Sequence, residues 1–170
     1  YPETYVAIDG IFRVIEENQL AFKVIGKGSD LLCSDDEFEG VVICLDRFFN
    51  HQYFDGNDLI AEAGCSIIAL STAAMKHGLS GLEFASGIPG TVGGCLFMNA
   101  GAYDGEMDQV VTSVDAVDMQ GNLHHYSREE LQFAYRHSRF HENHEIIVRV
   151  TMELQEGNPE DIQGRMDDLT

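Results

Sequence analysis

Glu83-Phe-Ala-Ser-Gly-Ile-Pro-Gly-Thr-Val-Gly-Gly94 interrupts an otherwise regular pattern of helices and strands. Residues 86–94 of this stretch, the glycine loop, combine four glycines with one proline, a composition that predicts neither a helix nor the interior of a sheet. The wider segment 78–105 holds 8 of the 17 glycines in the chain. A loop this long in a compact domain is usually functional, and successive free backbone N–H groups in it would bind an anion. The alternative is that the glycines only permit tight packing.

The regular elements on either side of the loop predict an α+β fold. Helices are expected at residues 9–19 and 66–77, with Asp9 and Ser66 as N-caps, and residues 127–130 have the form of a capping box. Strands are expected at residues 21–25, 41–45, 58–63, 113–119, 123–126 and 146–154. A last helix is predicted to begin at Pro159, and the chain stops inside it. This order does not match the strict alternation of a doubly wound parallel sheet.

Composition restricts the partners of the chain. With a net charge of −19 and ten Lys and Arg residues, it is expected to repel nucleic acid and anionic membrane surfaces. No apolar run reaches the ~18–20 residues needed for membrane insertion, and no secretory signal is recognised. The widely spaced cysteines and the histidines between residues 124 and 144 lack metal-ligand spacing, so we expect no metal and partly buried, reduced thiols in a cytoplasmic protein. The cysteines are Cys33, Cys44, Cys65 and Cys95.

A second glycine-rich segment, Val24-Ile-Gly-Lys-Gly-Ser-Asp-Leu-Leu32, directly follows a predicted strand. Residues 26–30, the glycine turn, would let the backbone approach a phosphate closely, and Ser29 adds a hydroxyl donor. Leu31 stands where a dinucleotide fingerprint has its third glycine, and no clear helix follows, so a Rossmann site is not indicated. An ordinary turn between two strands is the alternative. The glycine loop in turn lacks the Gly-Lys-Ser/Thr ending of an ATP-binding P-loop.

Two arginines occur among aromatic residues in Phe133-Ala-Tyr-Arg-His-Ser-Arg-Phe140. A fixed guanidinium suits recognition of a carboxylate or stabilisation of a developing oxyanion. A surface ion pair with one of the 29 acidic residues would explain the same pattern.

Taken in order, these three motifs resemble the MurB family of UDP-N-acetylenolpyruvoylglucosamine reductases, over residues 5–154. The resemblance rests on the segment 83–94 followed by Met98-Asn-Ala-Gly-Ala-Tyr-Asp-Gly-Glu106, on Tyr135-Arg136-x-Ser138-x-Phe140 and on Gly26-x-Gly-Ser-Asp-Leu-Leu32. The family usually has Asn where this chain has Asp30. That difference places a negative charge beside the expected diphosphate position.

The resemblance implies a two-lobed FAD-binding fold of the vanillyl-alcohol-oxidase-like (PCMH) type, without the C-terminal substrate domain. Its lobes would be residues 1–45, truncated at the N-terminus, and 46–154, with 155–170 starting the linker. FAD would be the cofactor and NADPH the co-substrate in reducing UDP-N-acetylglucosamine enolpyruvate to UDP-N-acetylmuramate for peptidoglycan synthesis, and hence for cell shape and division. Since the family's proton donor and a glutamate lie in the missing domain, the fragment alone is not expected to turn over.

The resemblance also implies roles for single residues. Arg136 would bind the substrate carboxylate and stabilise the enolate-like intermediate, with support from Tyr135. The residues expected to bind FAD are Gly26, Lys27, Gly28, Ser29, Asp30, Leu31, Ser86, Gly87, Ile88, Pro89, Gly90, Thr91, Gly93, Gly94, Asn99, Gly101, Ala102 and Tyr103. A related FAD-dependent oxidase or dehydrogenase with another substrate, and a non-catalytic flavin-binding module, are the alternatives.

Overall fold

The computed structural model describes residues 1–169, which form an α+β fold as the sequence predicts. The helices are α1 (Tyr5–Glu17), α2 (Ile67–Lys76), α3 (Val92–Phe97) and α4 (Pro159–Asp168). The strands are β1 (Ala21–Ile25), β2 (Gly40–Cys44), β3 (Gln52–Asp55), β4 (Asp58–Glu62), β5 (Leu79–Ser80), β6 (Gly101–Ala102), β7 (Gly105–Glu106), β8 (Val111–Val117), β9 (Leu123–Ser127), β10 (Ile146–Glu153) and β11 (Gln155–Glu156). Single 3₁₀ turns lie at Glu83–Ala85, Met107–Gln109, Arg128–Leu131 and Arg139–His141.

The sheets differ in size and strand direction. A parallel pair, β1 and β2, follows α1. The larger sheet is antiparallel throughout, in the order β3-β4-β10-β8-β9, and the short strands form the pairs β5–β11 and β6–β7. One hydrophobic cluster continues from Phe12 of α1 through Ile43 of β2 and Val150 of β10 to Leu96 of α3. The elements that carry the glycine-rich segments therefore share a core.

Most predicted elements are confirmed, and the exceptions have local causes. Helix α1 begins at Tyr5 with Thr4 as its N-cap, whereas Asp9, the expected cap, forms an i,i+4 ion pair with Arg13 at 2.8 Å. Strand β3 was not predicted because it is a short edge strand with mostly exposed side chains. The capping box at Ser127 is present.

The prediction that the glycine loop contains no helix is wrong. Helix α3 begins at Val92 inside the loop, and Thr91 caps it by accepting a hydrogen bond from the Gly94 N–H at 3.3 Å. Glycines disfavour a helix when it is isolated. Here tertiary hydrogen bonds compensate, since the N–H groups of Val92 and Gly93 donate to the carbonyls of Cys65 and Ala63 at 2.8 and 2.9 Å.

The expectations on membrane helices, metal groups and cysteine burial concern residues 1–169. Within this range no helix has the length and apolar character needed to cross a bilayer, and no group of His, Cys, Asp and Glu side chains is arranged for a metal ion. Three of the free cysteines are buried, whereas Cys33 is exposed, contrary to the expectation of partial burial. Cys33 is exposed because it lies in the irregular connection between β1 and β2.

Candidate functional site

The three motifs, which are distant in sequence, meet at one place in the fold. Gly26 of the glycine turn contacts Thr91 of the glycine loop so closely that a Cβ at Gly26 would overlap the Thr91 hydroxyl. Arg136 Nη2 donates to Asp30 Oδ2 at 2.6 Å, which joins the segment 133–140 to the glycine turn. Lys27 Nζ donates to Ser66 Oγ at 3.0 Å, which joins the glycine turn to the start of α2.

The glycine turn presents unused hydrogen-bond donors. Gly28 lies in the left-handed region at φ +68°, and this conformation reverses the chain directly after β1. Within the described residues, the backbone N–H groups of positions 27–30 have no acceptor. Adjacent free N–H groups at a left-handed residue form a concavity suited to an anion. The segment therefore has the donors that the sequence predicts, rather than serving only as a connection.

The glycine loop uses most of its donors internally, contrary to the expectation of successive free N–H groups. The Gly90 N–H donates to the Ile88 carbonyl at 2.9 Å, in addition to the bonds at residues 92–94 described above. Gly93 packs against Ala63, the residue directly after β4, since a Cβ at Gly93 would lie 2.8 Å from the Ala63 Cβ. These glycines therefore provide the tight packing that was the alternative interpretation of the sequence.

Ser86 is the part of the glycine loop that keeps an unsatisfied polar atom. Its side chain is buried, and its Oγ has no hydrogen-bond partner among residues 1–169. A buried hydroxyl without a partner is costly and calls for a partner that the protein itself does not supply. Among residues 1–169, the N–H groups of Gly87 and Thr91 in the same loop also have no acceptor.

Tyr135 and Arg136 form the tip of a tight turn, residues 134–137, which we call the Arg136 turn. Two backbone hydrogen bonds of 3.1 Å between Ala134 and His137 close it, and Arg136 has φ +53°. Immediately after it, the fully buried Ser138 donates to the Phe97 carbonyl at the end of α3 at 2.8 Å. The backbone of the Arg136 turn is therefore held in place, while the Tyr135 side chain is 91% exposed.

An open cleft of about 460 Å³ lies beside the Arg136 turn. Its lining consists of Asn99, Gly101, Ala102, Asp104, Gly105, Glu106, Gln109, Tyr135 and Arg136. Five of these residues were predicted from the sequence, and Asp104, Gly105, Glu106 and Gln109 were not. Asp104, Gly105 and Glu106 had a signal, as the last three residues of the segment quoted for the family resemblance, whereas Gln109 had none. Tyr103 is two-thirds exposed and does not line this cleft.

Asn99 is buried and connects the cleft to the Arg136 turn. Its Nδ2 donates to Glu106 Oε2 at 3.1 Å and to the Ala134 carbonyl at 3.2 Å, and its Oδ1 accepts from the Asp108 N–H at 2.9 Å. Because these bonds occupy its amide group, Asn99 fixes the cleft wall rather than offering free donors.

The charge of Arg136 acts on two neighbouring groups, the Cys95 thiol and the Asp30 carboxylate. Burial raises the pKa of the Cys95 thiol to about 12, although the positive charges of Arg136 and Lys27 act in the opposite direction. Cys95 is therefore a neutral, unreactive thiol near neutral pH. The negative charge of Asp30, which the sequence identified as unfavourable for a bound diphosphate, is paired with Arg136.

The arrangement fits a ligand that carries phosphate oxygens. The free N–H groups of residues 27–30 can donate to such oxygens, and the Ser86 hydroxyl lacks a partner. Contact between Gly26 and Thr91 brings the two donor sets to one side of the fold.

Comparison with known proteins places the chain in a family. Residues 1–127 match the family described as FAD binding domain. The UDP-N-acetylenolpyruvoylglucosamine reductase of Clostridium novyi (strain NT) is 40% identical over 168 residues, which cover 99% of this chain and 54% of that protein. The resemblance inferred from the motifs is thereby confirmed.

Solved structures agree with the fold. The MurB structure from Thermus caldophilus superposes with a TM-score of 0.76 at 32% identity, covering 98% of this chain and 59% of that one. The 6-hydroxy-D-nicotine oxidase from Arthrobacter nicotinovorans superposes with a TM-score of 0.71 at 21% identity, covering 91% and 35% of the two chains. The second likeness concerns the fold alone.

Proposed function

The chain belongs to the FAD binding domain family, and on that premise we propose that it is the flavin-binding part of an NADPH-dependent reductase of UDP-N-acetylglucosamine enolpyruvate. The product would be UDP-N-acetylmuramate, made in the cytoplasm for peptidoglycan synthesis. The chain spans about half the length of the curated relatives it matches. Activity is therefore proposed for the protein that contains this chain. Within the chain, we propose FAD-binding lobes at residues 1–45 and 46–154 and the start of a linker at 155–170.

One observation carries this proposal: the glycine turn, the glycine loop and the Arg136 turn, separated by up to 106 residues, are in direct contact. Each motif alone has a purely structural explanation: an ordinary turn, a tightly packed loop or a surface ion pair. Their contact, with Arg136 also lining the cleft, supports a site that binds an anionic cofactor and an anionic substrate next to each other.

The residues of the chain would divide the binding of FAD between them. The N–H groups of residues 27–30 and the hydroxyl of Ser86 would donate to the diphosphate, and the backbone of residues 99–103 would lie near the flavin ring. The close contact between Gly26 and Thr91 would hold the donors of the glycine turn and of the glycine loop in a fixed relative position. Because the donors are fixed by the fold, little reorganisation is needed when the anion binds.

Arg136 would act on the substrate. FAD, when bound, supplies the hydride that reduces the enolpyruvyl double bond after reduction by NADPH. The guanidinium of Arg136 would bind the substrate carboxylate and stabilise negative charge as it develops there, which favours the transition state over the ground state. Tyr135 would support this position from the same turn.

Titration with FAD, followed by quenching of flavin fluorescence, tests the cofactor proposal. We expect saturable binding of FAD and much weaker binding of riboflavin, which lacks the diphosphate. Gly26→Ala should weaken FAD binding because its methyl group overlaps Thr91, whereas Gly10→Ala, whose Cβ would meet no described atom within 4 Å, should not. Equal binding of FAD and riboflavin would contradict the proposed diphosphate site.

Substrate-dependent oxidation of NADPH tests the reaction, measured on the FAD-loaded, full-length protein that contains this chain. Arg136→Gln should lower the rate much more than Arg128→Gln, a surface arginine that pairs with Asp108. A substrate-dependent rate that survives Arg136→Gln would contradict the role of Arg136 while leaving the FAD site intact.

A further inference from the structure

We propose that Arg136 has a second role, in the cofactor half of the site: it neutralises Asp30, and so allows the glycine turn to accept a diphosphate. The inference rests on the proposed function and extends it. Arg136 would then serve both halves of the site, binding the substrate carboxylate and controlling the charge next to the flavin diphosphate. In this second role it acts through Asp30, as a positioning and charge-balancing residue.

The position of Asp30 creates the need for such a partner. Its backbone N–H is one of the donors of the glycine turn without an acceptor among the described residues, yet the same residue carries a carboxylate. An unpaired carboxylate there would repel the phosphate oxygens that the N–H groups attract. Lys27, the other charged residue of the turn, donates to Ser66 instead.

The Arg136 turn is built to hold its side chain against Asp30. The pair of hydrogen bonds between Ala134 and His137 and the Asn99 bond to the Ala134 carbonyl fix the backbone on both sides of Arg136. From this base, Nη2 donates a charge-assisted hydrogen bond to Asp30 Oδ2 at 2.6 Å.

The guanidinium retains capacity for a second anion. Of its five N–H donors, the described contact with Asp30 uses one on Nη2, and Nε and Nη1 have no acceptor among residues 1–169. A substrate carboxylate can therefore bind to Arg136 without separating it from Asp30. Arg136 can thus neutralise Asp30 beside the cofactor and bind the substrate at the same time.

The size of the effect follows from exposure. The side chains of Arg136 and Asp30 are 42% and 64% exposed, so solvent screens their interaction. Exposed pairs of this kind change an equilibrium by roughly two- to fivefold. The effect should also decrease as salt is added, because the charges are accessible to ions.

A double-mutant cycle on FAD affinity tests the inference, with the purified protein freed of flavin. Arg136→Gln should weaken FAD binding about two- to fivefold at low salt. The same substitution in an Asp30→Asn background should have no effect, since the charge to be neutralised is gone. Riboflavin affinity should be insensitive to both changes. Arg13→Gln, which removes one positive charge from the exposed pair with Asp9, is the matched control for net charge.

The outcomes separate this inference from the proposed function. Rescue of the Arg136→Gln defect by Asp30→Asn supports the second role, because a purely structural contact would not be repaired by removing its partner. An equal loss in both backgrounds, or a loss that Arg13→Gln reproduces, would overturn the second role while FAD binding stands. Failure of the unsubstituted protein to bind FAD would overturn the proposed function and this inference together.

Discussion

The glycine turn and the glycine loop look alike in the sequence but differ in the fold. In the turn, the N–H groups of residues 27–30 are free, and Gly28 has open space around it except for Leu31. In the loop, the N–H groups of Gly90 and of residues 92–94 are bonded within the protein, and Gly93 packs on Ala63. A glycine-rich segment thus indicates either open donors or close packing, and its neighbours in space decide which.

The comparison suggests a division of labour between the two segments. The loop holds Ser86 and the start of α3 against the large sheet, so its glycines contribute mainly to stability. The turn contributes mainly to ligand binding. Apart from Gly26, where a Cβ would overlap the Thr91 hydroxyl, substitutions in the turn should therefore change the free energy of unfolding less than those in the loop.

The largest effect is expected at Gly93. A methyl group there would lie 2.8 Å from the Ala63 Cβ and 3.0 Å from its carbonyl oxygen, so Gly93→Ala should lower the free energy of unfolding by about 1–3 kcal/mol. Gly94→Ala is the matched control, since its nearest contact would be 3.4 Å from Thr91 Oγ1. Urea denaturation measures both. Equal stability of the two variants would show that the close packing of Gly93 does not stabilise the protein.

Gly28 tests the turn in the same way. Because it has φ +68°, Gly28→Ala should cost about 1–2 kcal/mol through backbone strain alone. Gly10→Ala, in α1, should instead stabilise the protein by about 0.5–1 kcal/mol. Thermal unfolding of the two variants compares them directly. A stabilising Gly28→Ala would show that the turn is not held in the left-handed conformation.

Ser86→Ala should separate stability from binding. In the flavin-free protein, removal of a buried hydroxyl without a partner should leave the free energy of unfolding unchanged or raise it. FAD affinity should fall by the worth of one hydrogen bond, about 0.5–1.5 kcal/mol. Ser113→Ala, in β8 and outside the candidate site, is the control. Loss of stability with unchanged FAD affinity would assign Ser86 to packing instead.

The smallest effect concerns the anchor of the loop at Glu83. Burial raises the pKa of its carboxyl, but hydrogen bonds from Arg165, the Gly81 N–H and Ser80 outweigh burial and leave the pKa below the ordinary value of 4.5. A carboxyl whose pKa is lowered by folding stabilises the protein above its unfolded pKa and loses that contribution as pH falls through the folded pKa.

Glu83→Gln should therefore cost about 1 kcal/mol or less near neutral pH, since Arg165 is half exposed. The difference between the variant and the original protein should shrink as the pH falls below 4.5. Urea denaturation across this range measures the difference. A difference independent of pH would mean that the carboxylate charge does not anchor the loop.

The elements that the sequence predicted well are those with local signals. The strands at residues 21–25 and 123–126 and the helix at 66–77 show apolar periodicity bounded by turn residues, and they lie within one or two residues of the prediction. Helix α3 was missed because it depends on partners distant in sequence, whereas β3 was missed because it is a short edge strand with mostly exposed side chains. Ladder bonds to β4 define β3, and carbonyls of residues 63 and 65 support α3.

For the candidate site, the sequence by itself determined which segments have special chemistry: the two glycine-rich stretches and the arginine among aromatic residues. Composition and spacing are local properties, and they suffice for that. Only the tertiary structure decided that Arg136 pairs with Asp30, that the donors of the glycine loop are mostly occupied, and that Ser86 is buried without a partner. These outcomes depend on contacts between residues far apart in the chain, and such contacts form only when the shared hydrophobic core brings the segments together.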